Sequence, residues 1–188
     1  MTEPPAAPVA PPSRRVRVGD LAFAALALAA ASGVALALAW DVRRPYDSLS
    51  NLLLVNPSAA WFRNVHYWTA QVLLLGGLWH AWDTVRRGGD RTMKPGVWAR
   101  AALSLPLVGF VMVSGFILKG DLEGTQAWRI VTALLGSLPI VGPLLATMAV
   151  GPVGDHQIIY VHHAATATLL LWIVSAEHGR RVWPRLRH

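Results

Sequence analysis

Long uncharged runs separated by short charged stretches set the pattern of this chain. Residues 21–40 form the first apolar run, followed by 64–82, 101–118, 130–154 and 156–176. About 20 residues of helix cross a bilayer core. The first run reaches that length and exceeds the apolar core of a signal peptide, so it predicts a retained spanning helix. The fourth run differs from the rest. It holds Pro139, Pro143 and Pro152 with Gly136, Gly142, Gly151 and Gly154. That density of breakers predicts an interrupted amphipathic segment, about 122–150, lying at the membrane surface. The pattern therefore predicts an all-α membrane protein, a bundle of four transmembrane helices A to D. Their expected bounds are about 20–41, 62–85, 98–119 and 156–179, between a flexible tail of residues 1–18 and a C-terminal tail of residues 183–188.

Charge decides between four and five spans. With four, the N-terminal tail, the 83–100 loop and the C-terminal tail share one side and carry 12 of the 17 Lys and Arg residues. The opposite side carries Arg43, Arg44, Arg63, Lys119 and Arg129. The positive-inside rule then places both termini in the cytoplasm, with the chain integral to a bacterial inner (cytoplasmic) membrane. Composition agrees: 54% of the 188 residues are hydrophobic and only 14% are charged, against about 25% charged in soluble domains. The net charge of +7 is spread between apolar runs instead of over one face, which argues against nucleic acid as a partner. The absence of Cys excludes disulfides, iron–sulfur clusters and a covalently attached c-type haem.

Histidines carry the candidate chemistry. His66 and His80 lie 14 residues apart in helix B, and His163 and His178 lie 15 apart in helix D. A separation of 14 falls about 40° short of four turns, and one of 15 about 60° past them. His162, 16 before His178, points about 160° away, so His163 is the better partner. B and D run parallel in the four-span topology. His66 is then level with His163, and His80 with His178, about 21 Å further along. Two facing imidazoles can hold one haem iron, and two levels predict two haems. Both axial positions would be filled, which favours electron transfer over substrate chemistry. Zinc fits less well, because each level offers two His and no acid or thiolate. Small residues repeat the same spacing: Gly19 and Gly33 in helix A, Ala101 and Gly115 in helix C. Gly33 and Gly115 are expected at the His66–His163 level, and Gly19 and Ala101 at the other. Each would let a helix approach a porphyrin closely, although small residues also serve helix packing.

These residues resemble the N-terminal, dihaem half of the cytochrome b/b6 family. Arg63-Asn-Val-His66-Tyr-Trp68-Thr-Ala is similar to the segment opening that family's helix B. The 15-residue His spacing in helix D resembles its b6 branch. Ala31-Ser-Gly33-Val-Ala-Leu resembles the end of its helix A. Residues 124–132 and 138–142 resemble the segments after helix C that shape a quinol site. The resemblance implies two non-covalent b-type haems. By position, His66 and His163 would ligate the outer haem, and His80 and His178 the inner one. Arg63 would pair with a haem propionate, and Arg86, Arg87, Arg100 or Arg180 could do so at the inner haem. The family's Arg five residues before the first helix-D His is here Ile158, its common Arg after helix B is Asp83, and its Pro-Trp after helix C is Lys119-Gly120.

The expected function is electron transfer across the membrane between quinone or quinol and a partner redox subunit of a respiratory or photosynthetic complex. That partner would be a Rieske protein, a c-type cytochrome, or a molybdenum/iron–sulfur protein in a hetero-oligomer. The chain is expected to be a subunit of a quinol-linked oxidoreductase, with no catalytic residue of its own. Two alternatives stand beside this reading: a haem-bearing anchor of a dehydrogenase or reductase, and a haem-free transporter or assembly protein. His156 and His162, at the outer end of helix D, and Asp121 and Glu123, after helix C, are candidates for proton handling at a quinone site. The bland roles outweigh this: interface or headgroup contacts for the two histidines, and solvated loop positions for the two acids. Tyr67, Trp68, Trp128 and Trp172 are candidates for packing near a cofactor.

Overall fold

The structure, a computed structural model, describes residues 17–182, with side chains as far as residue 179. The two expected tails lie almost wholly outside that range. Helix α1, Val18–Ala37, is rich in Ala and Leu, which favour helix. Pro residues then open three of the next four elements at their first helical position, where a missing N–H costs nothing. These are α2 (Pro45–Val55), α3 (Pro57–Arg86) and α5 (Pro95–Ile117). Asn56 caps α3, its side-chain oxygen accepting from Ser58 N at 3.0 Å and Ala59 N at 3.2 Å. A short α4, Gly89–Thr92, links α3 to α5 after Gly88 takes a left-handed φ of 72°.

Two differences from the sequence expectation stand out. Helix α2 occupies a stretch that hydropathy leaves unassigned, and α3 begins five residues earlier than expected. Both follow from proline and capping chemistry, to which a hydropathy window is blind. The broken segment after α5 forms α6, Leu122–Gly136, and α7, Gly142–Val150. It ends on Gly151 and Gly154, both at positive φ. The last long helix is continuous from α8 (Gln157–Val161) through a π turn (His162–Thr166) into α9 (Ala167–Val182).

Among the described residues, three stretches are long and apolar enough to cross a membrane: Val18–Ala37, Pro95–Ile117 and Gln157–Gly179. Helix α3, the longest at 30 residues, carries more polar groups, histidines among them. Helix α1 packs along α3, and α5 packs along α9. The two pairs face each other to make the bundle. Its middle is tied by Leu26, Val108 and Leu171, with Leu73 packed against them. A second apolar cluster, Ile117, Leu118, Trp128, Val150 and Ile159, fastens α6 and α7 over the end of the bundle near the C-terminus of α5.

Candidate functional site

His66 and His163 face each other with ring centres 6.1 Å apart and planes at 70°. His80 and His178 do the same at 6.0 Å and 68°. All four come from α3 and from the helix that includes α9, as the spacing predicts. A metal held at about 2.0–2.1 Å from one nitrogen of each ring separates the ring centres by on the order of 6 Å. The rings are therefore spaced for a single ion between them. Among the described residues, no group of three or more His, Cys, Asp or Glu is placed to hold a metal. Each level is a two-imidazole site, which suits an ion whose remaining positions are filled by a macrocycle.

The 15-residue spacing is reconciled with the 14-residue one by the backbone. Around His163 the chain makes a π turn, in which Ala167 N donates to His162 O. The turn absorbs one extra residue, so His163 and His178 present themselves as if 14 apart. The Thr168 hydroxyl donates to the His163 carbonyl beside this turn.

Ring tautomers follow from the neighbours. His66 Nδ1 lies 2.8 Å from Ala29 O, and His163 Nδ1 lies 3.0 Å from Val111 O. A carbonyl only accepts, so each Nδ1 carries the proton and donates. Each Nε2 then keeps its lone pair for a metal.

Each nominated glycine faces one of these rings. A Cβ on Gly33 would sit 3.0 Å from His66 Cε1, one on Gly19 would sit 3.1 Å from His80 Cε1, and one on Gly115 would sit 2.8 Å from His163 Cε1. The clearance these glycines supply is for the imidazoles, where spacing alone suggested a porphyrin. Ala101 lines a cavity of about 180 Å³ together with Gly19, His80 and His178. Leu26, Leu73, Val108 and Leu171 line its floor. Leu26 and Leu73 each stand seven residues from both of their helix's level-setting residues, as does Val108 between Ala101 and Gly115. The two levels are thus separated by an apolar layer. Facing imidazoles and tight glycine seats fit a bis-histidine haem at each level, and at the His80–His178 level an apolar cavity lies beside them.

The charged nominees are placed unequally. Arg63 lies one turn before His66 and stacks over the Tyr67 ring at 5.6 Å, with no carboxylate partner among the described residues. Arg86 and Arg87 reach Asp83, at 3.9 and 2.9 Å, and Arg100 reaches Glu177 at 3.8 Å. Arg180 has no described side chain. Arg17, which hydropathy and spacing passed over, lines the cavity beside His80 and His178. Its only sequence signal is its position two residues before Gly19.

Just after α5, Lys119 bonds Asp121 at 2.8 Å and Glu123 at 3.2 Å. Loss of solvent alone would lower the Lys119 pKa, but hydrogen bonds to both carboxylates outweigh it and hold the ammonium above its usual value. Asp121 is likewise pushed up by desolvation, yet bonds from Lys119 and Gly124 N bring it below the usual carboxylate range. His156 packs on Trp128 with ring centres 4.8 Å apart. Burial lowers its pKa, opposed in part by the Gly154 backbone and by Asp155. His162 Nε2 lies 2.8 Å from Met148 O, tying the π turn to α7. Trp128 is buried in the second apolar cluster, Trp172 stacks with Phe23 at 5.4 Å, and Trp68 is exposed.

Comparison with known proteins agrees with this geometry. The profile of the family described as Cytochrome b/b6/petB matches residues 11–178. Cytochrome b6 of Tupiella akineta is 24% identical over 161 residues, covering 84% of this chain and 74% of that protein. Cytochrome b6 of Emiliania huxleyi is 27% identical over 125 residues, 66% of this chain and 58% of its own length. That of Gloeobacter violaceus is 26% identical over 125 residues, covering 65% and 58%. A family match over that length, on a helical bundle with paired histidines, makes the chain a member of the cytochrome b/b6 family of membrane haem proteins.

Proposed function

We propose that the chain is a dihaem electron conduit of a quinol-linked complex, with four spanning helices and both termini on the cytoplasmic side. The observation that carries this reading is the repetition of one imidazole pair at two heights of a single bundle. A bound haem supplies reversible one-electron chemistry at its iron. The protein's own residues do the rest. His66 and His163 hold the outer haem, and His80 and His178 the inner one. Ala29 O and Val111 O keep the protons of His66 and His163 on Nδ1, so that Nε2 is the ligating atom. The layer of Leu26, Leu73, Val108 and Leu171 keeps water from the space between the levels. Residues 14 apart on a helix stand about 21 Å apart along its axis, so haems held by the two imidazole pairs would supply one-electron carriers at two depths of the bilayer core.

Arg63 would be the propionate partner at the outer level, its guanidinium lying over Tyr67 one turn before His66 in the structure. At the inner level Arg17 is better placed than Arg86, Arg87 or Arg100, whose guanidinium groups already face carboxylates. Quinone or quinol exchanges electrons at one end. A partner redox subunit, such as a Rieske protein, a c-type cytochrome or a molybdenum/iron–sulfur protein, exchanges them at the other. Pairing between α3 and α9 favours this reading over a haem-bearing dehydrogenase anchor. The paired seats themselves count against a haem-free transporter.

The test is spectroscopic. Dithionite-reduced membranes bearing the chain should show a b-type alpha band, resolved by potentiometric titration into two components. His80→Ala and His178→Ala should each remove one component and leave the other. Two retained components in either variant would overturn the assignment.

A further inference from the structure

The two haem levels are not built alike, and the difference lies on α5. Ser114 is 1% exposed. Its Oγ lies 3.0 Å from His163 Nδ1 and 3.0 Å from Val111 O. Val111 O in turn lies 3.0 Å from the same Nδ1. The three groups close a small triangle. The carbonyl is acceptor only, so it receives both the Ser114 O–H and a share of the His163 Nδ1–H. The remaining share of that proton falls on the Ser114 oxygen, which is a better acceptor for having donated its own hydrogen. His66, across the same level, has Ala29 O as the acceptor for its Nδ1–H.

On α5 the corresponding positions at the lower level carry other residues. Gly115 has its counterpart in Ala101, but the residue before Ala101 is Arg100, which points its charge at Glu177. Ser104, the hydroxyl nearest the lower level on α5, donates to Ala101 O within its own helix at 2.6 Å.

We propose that Ser114 is a positioning and tuning residue for the outer haem alone. This rests on the bis-histidine reading above. A second acceptor on Nδ1–H increases the electron donation of the imidazole to the iron, because it draws the ring toward imidazolate character. That stabilises the ferric state and lowers the potential. It also holds the His163 ring at its angle to His66 while the ring rests against Gly115. A hydroxyl that served only to satisfy its own helix would do neither.

The experiment is potentiometric titration of the two b components in membranes containing the parent chain, Ser114→Ala and Ser114→Thr. Low-spin ferric EPR, which reads the angle between the axial ring planes, is recorded beside it. Ser114→Ala should raise the potential of the outer component, shift its EPR signal, and leave the inner component unmoved. Ser114→Thr, which keeps the hydroxyl, should restore the parent values. An unmoved outer component, equal shifts in both, a downward shift, or Thr behaving as Ala would each overturn the proposal. Should Ser114→Ala lose both haems, Ser114→Cys decides, since its sulfur is a weaker acceptor of similar reach. A shift confined to the outer component supports the role, and unchanged potentials overturn it. Absence of any b-type band in the parent chain would overturn the haem reading itself, and this inference with it.

Discussion

Single residues in this bundle act mainly by what they leave out. Gly115 has its effect because a Cβ there would stand 2.8 Å from His163 Cε1. The ring cannot retreat without giving up Val111 O and Ser114. Gly115→Ala should therefore cost about 1–3 kcal/mol, as overpacking does. It should also halve the haem content measured by pyridine haemochrome, with the outer component lost. Gly109, on the same helix, is the control, since nothing lies within 4 Å of a Cβ there. Gly109→Ala should keep both haems and stabilise the helix by about 0.5–1 kcal/mol. Equal losses in both variants would mean that α5 tolerates no side chain anywhere and that the imidazole seat is not special.

At the scale of elements, local chemistry settles where helices start and how the outer segments sit. Asp121 caps α6 by accepting from Gly124 N at 2.7 Å and also holds Lys119. Asp121→Ala should cost about 1 kcal/mol from the lost cap, while Lys119→Ala should cost less, because it leaves the cap in place and removes only half-buried ion pairs at the surface, where such pairs contribute about 0–1 kcal/mol. Thermal unfolding in detergent measures both. The pH dependence has a definite sign. The Asp121 carboxyl is held below its ordinary value, so its contribution is complete above the ordinary carboxylate range and disappears as pH falls through the lowered value. Lys119 is held above its ordinary value, so its contribution persists until the solution is strongly alkaline. His156, lowered by burial, packs neutral against Trp128. Its contribution is present above its ordinary value of 6.5 and declines as pH falls through its lowered value. The α6–α7 cap should accordingly loosen on acidification from neutral pH, read as a falling melting temperature. His156→Gln should flatten the part of that fall nearest neutrality.

Across the whole molecule, two helix pairs enclose two polar sites with an apolar partition between them. Leu171 is 1% exposed and belongs to that partition. Leu171→Ala should cost about 2–5 kcal/mol, the range for buried large-to-small changes. Both imidazole pairs should survive it, because their hydrogen bonds lie elsewhere. Unfolding followed by helical circular dichroism, with the haem spectrum recorded beside it, checks this. A loss of one b component without a loss of stability would mean that Leu171 acts through the cavity it lines and not through the partition.

The levels of the four histidines could be read from the chain, because helical rise and the order of the spans are both properties of sequence. The same holds for the small-residue repeat in α1 and α5 and for the broken character of the α6–α7 region, where prolines stand in plain view. The family resemblance was legible for the same reason: it is carried by short segments at nearly constant register. Three things were decided only by tertiary structure. The π turn at His162–Thr166, which brings a 15-residue spacing into phase with a 14-residue one, is chosen by the fit of α9 against α5, and hydropathy has no period that announces it. The partners of each imidazole nitrogen, Ala29 O, Val111 O and Ser114 Oγ, belong to other helices, so no spacing within α3 or α9 encodes them. Which arginines remain available depends on Asp83 and Glu177, one a turn away and the other on a different helix. Periodicity along one helix places a side chain at a height and on a face, and only contact between helices determines what it meets there.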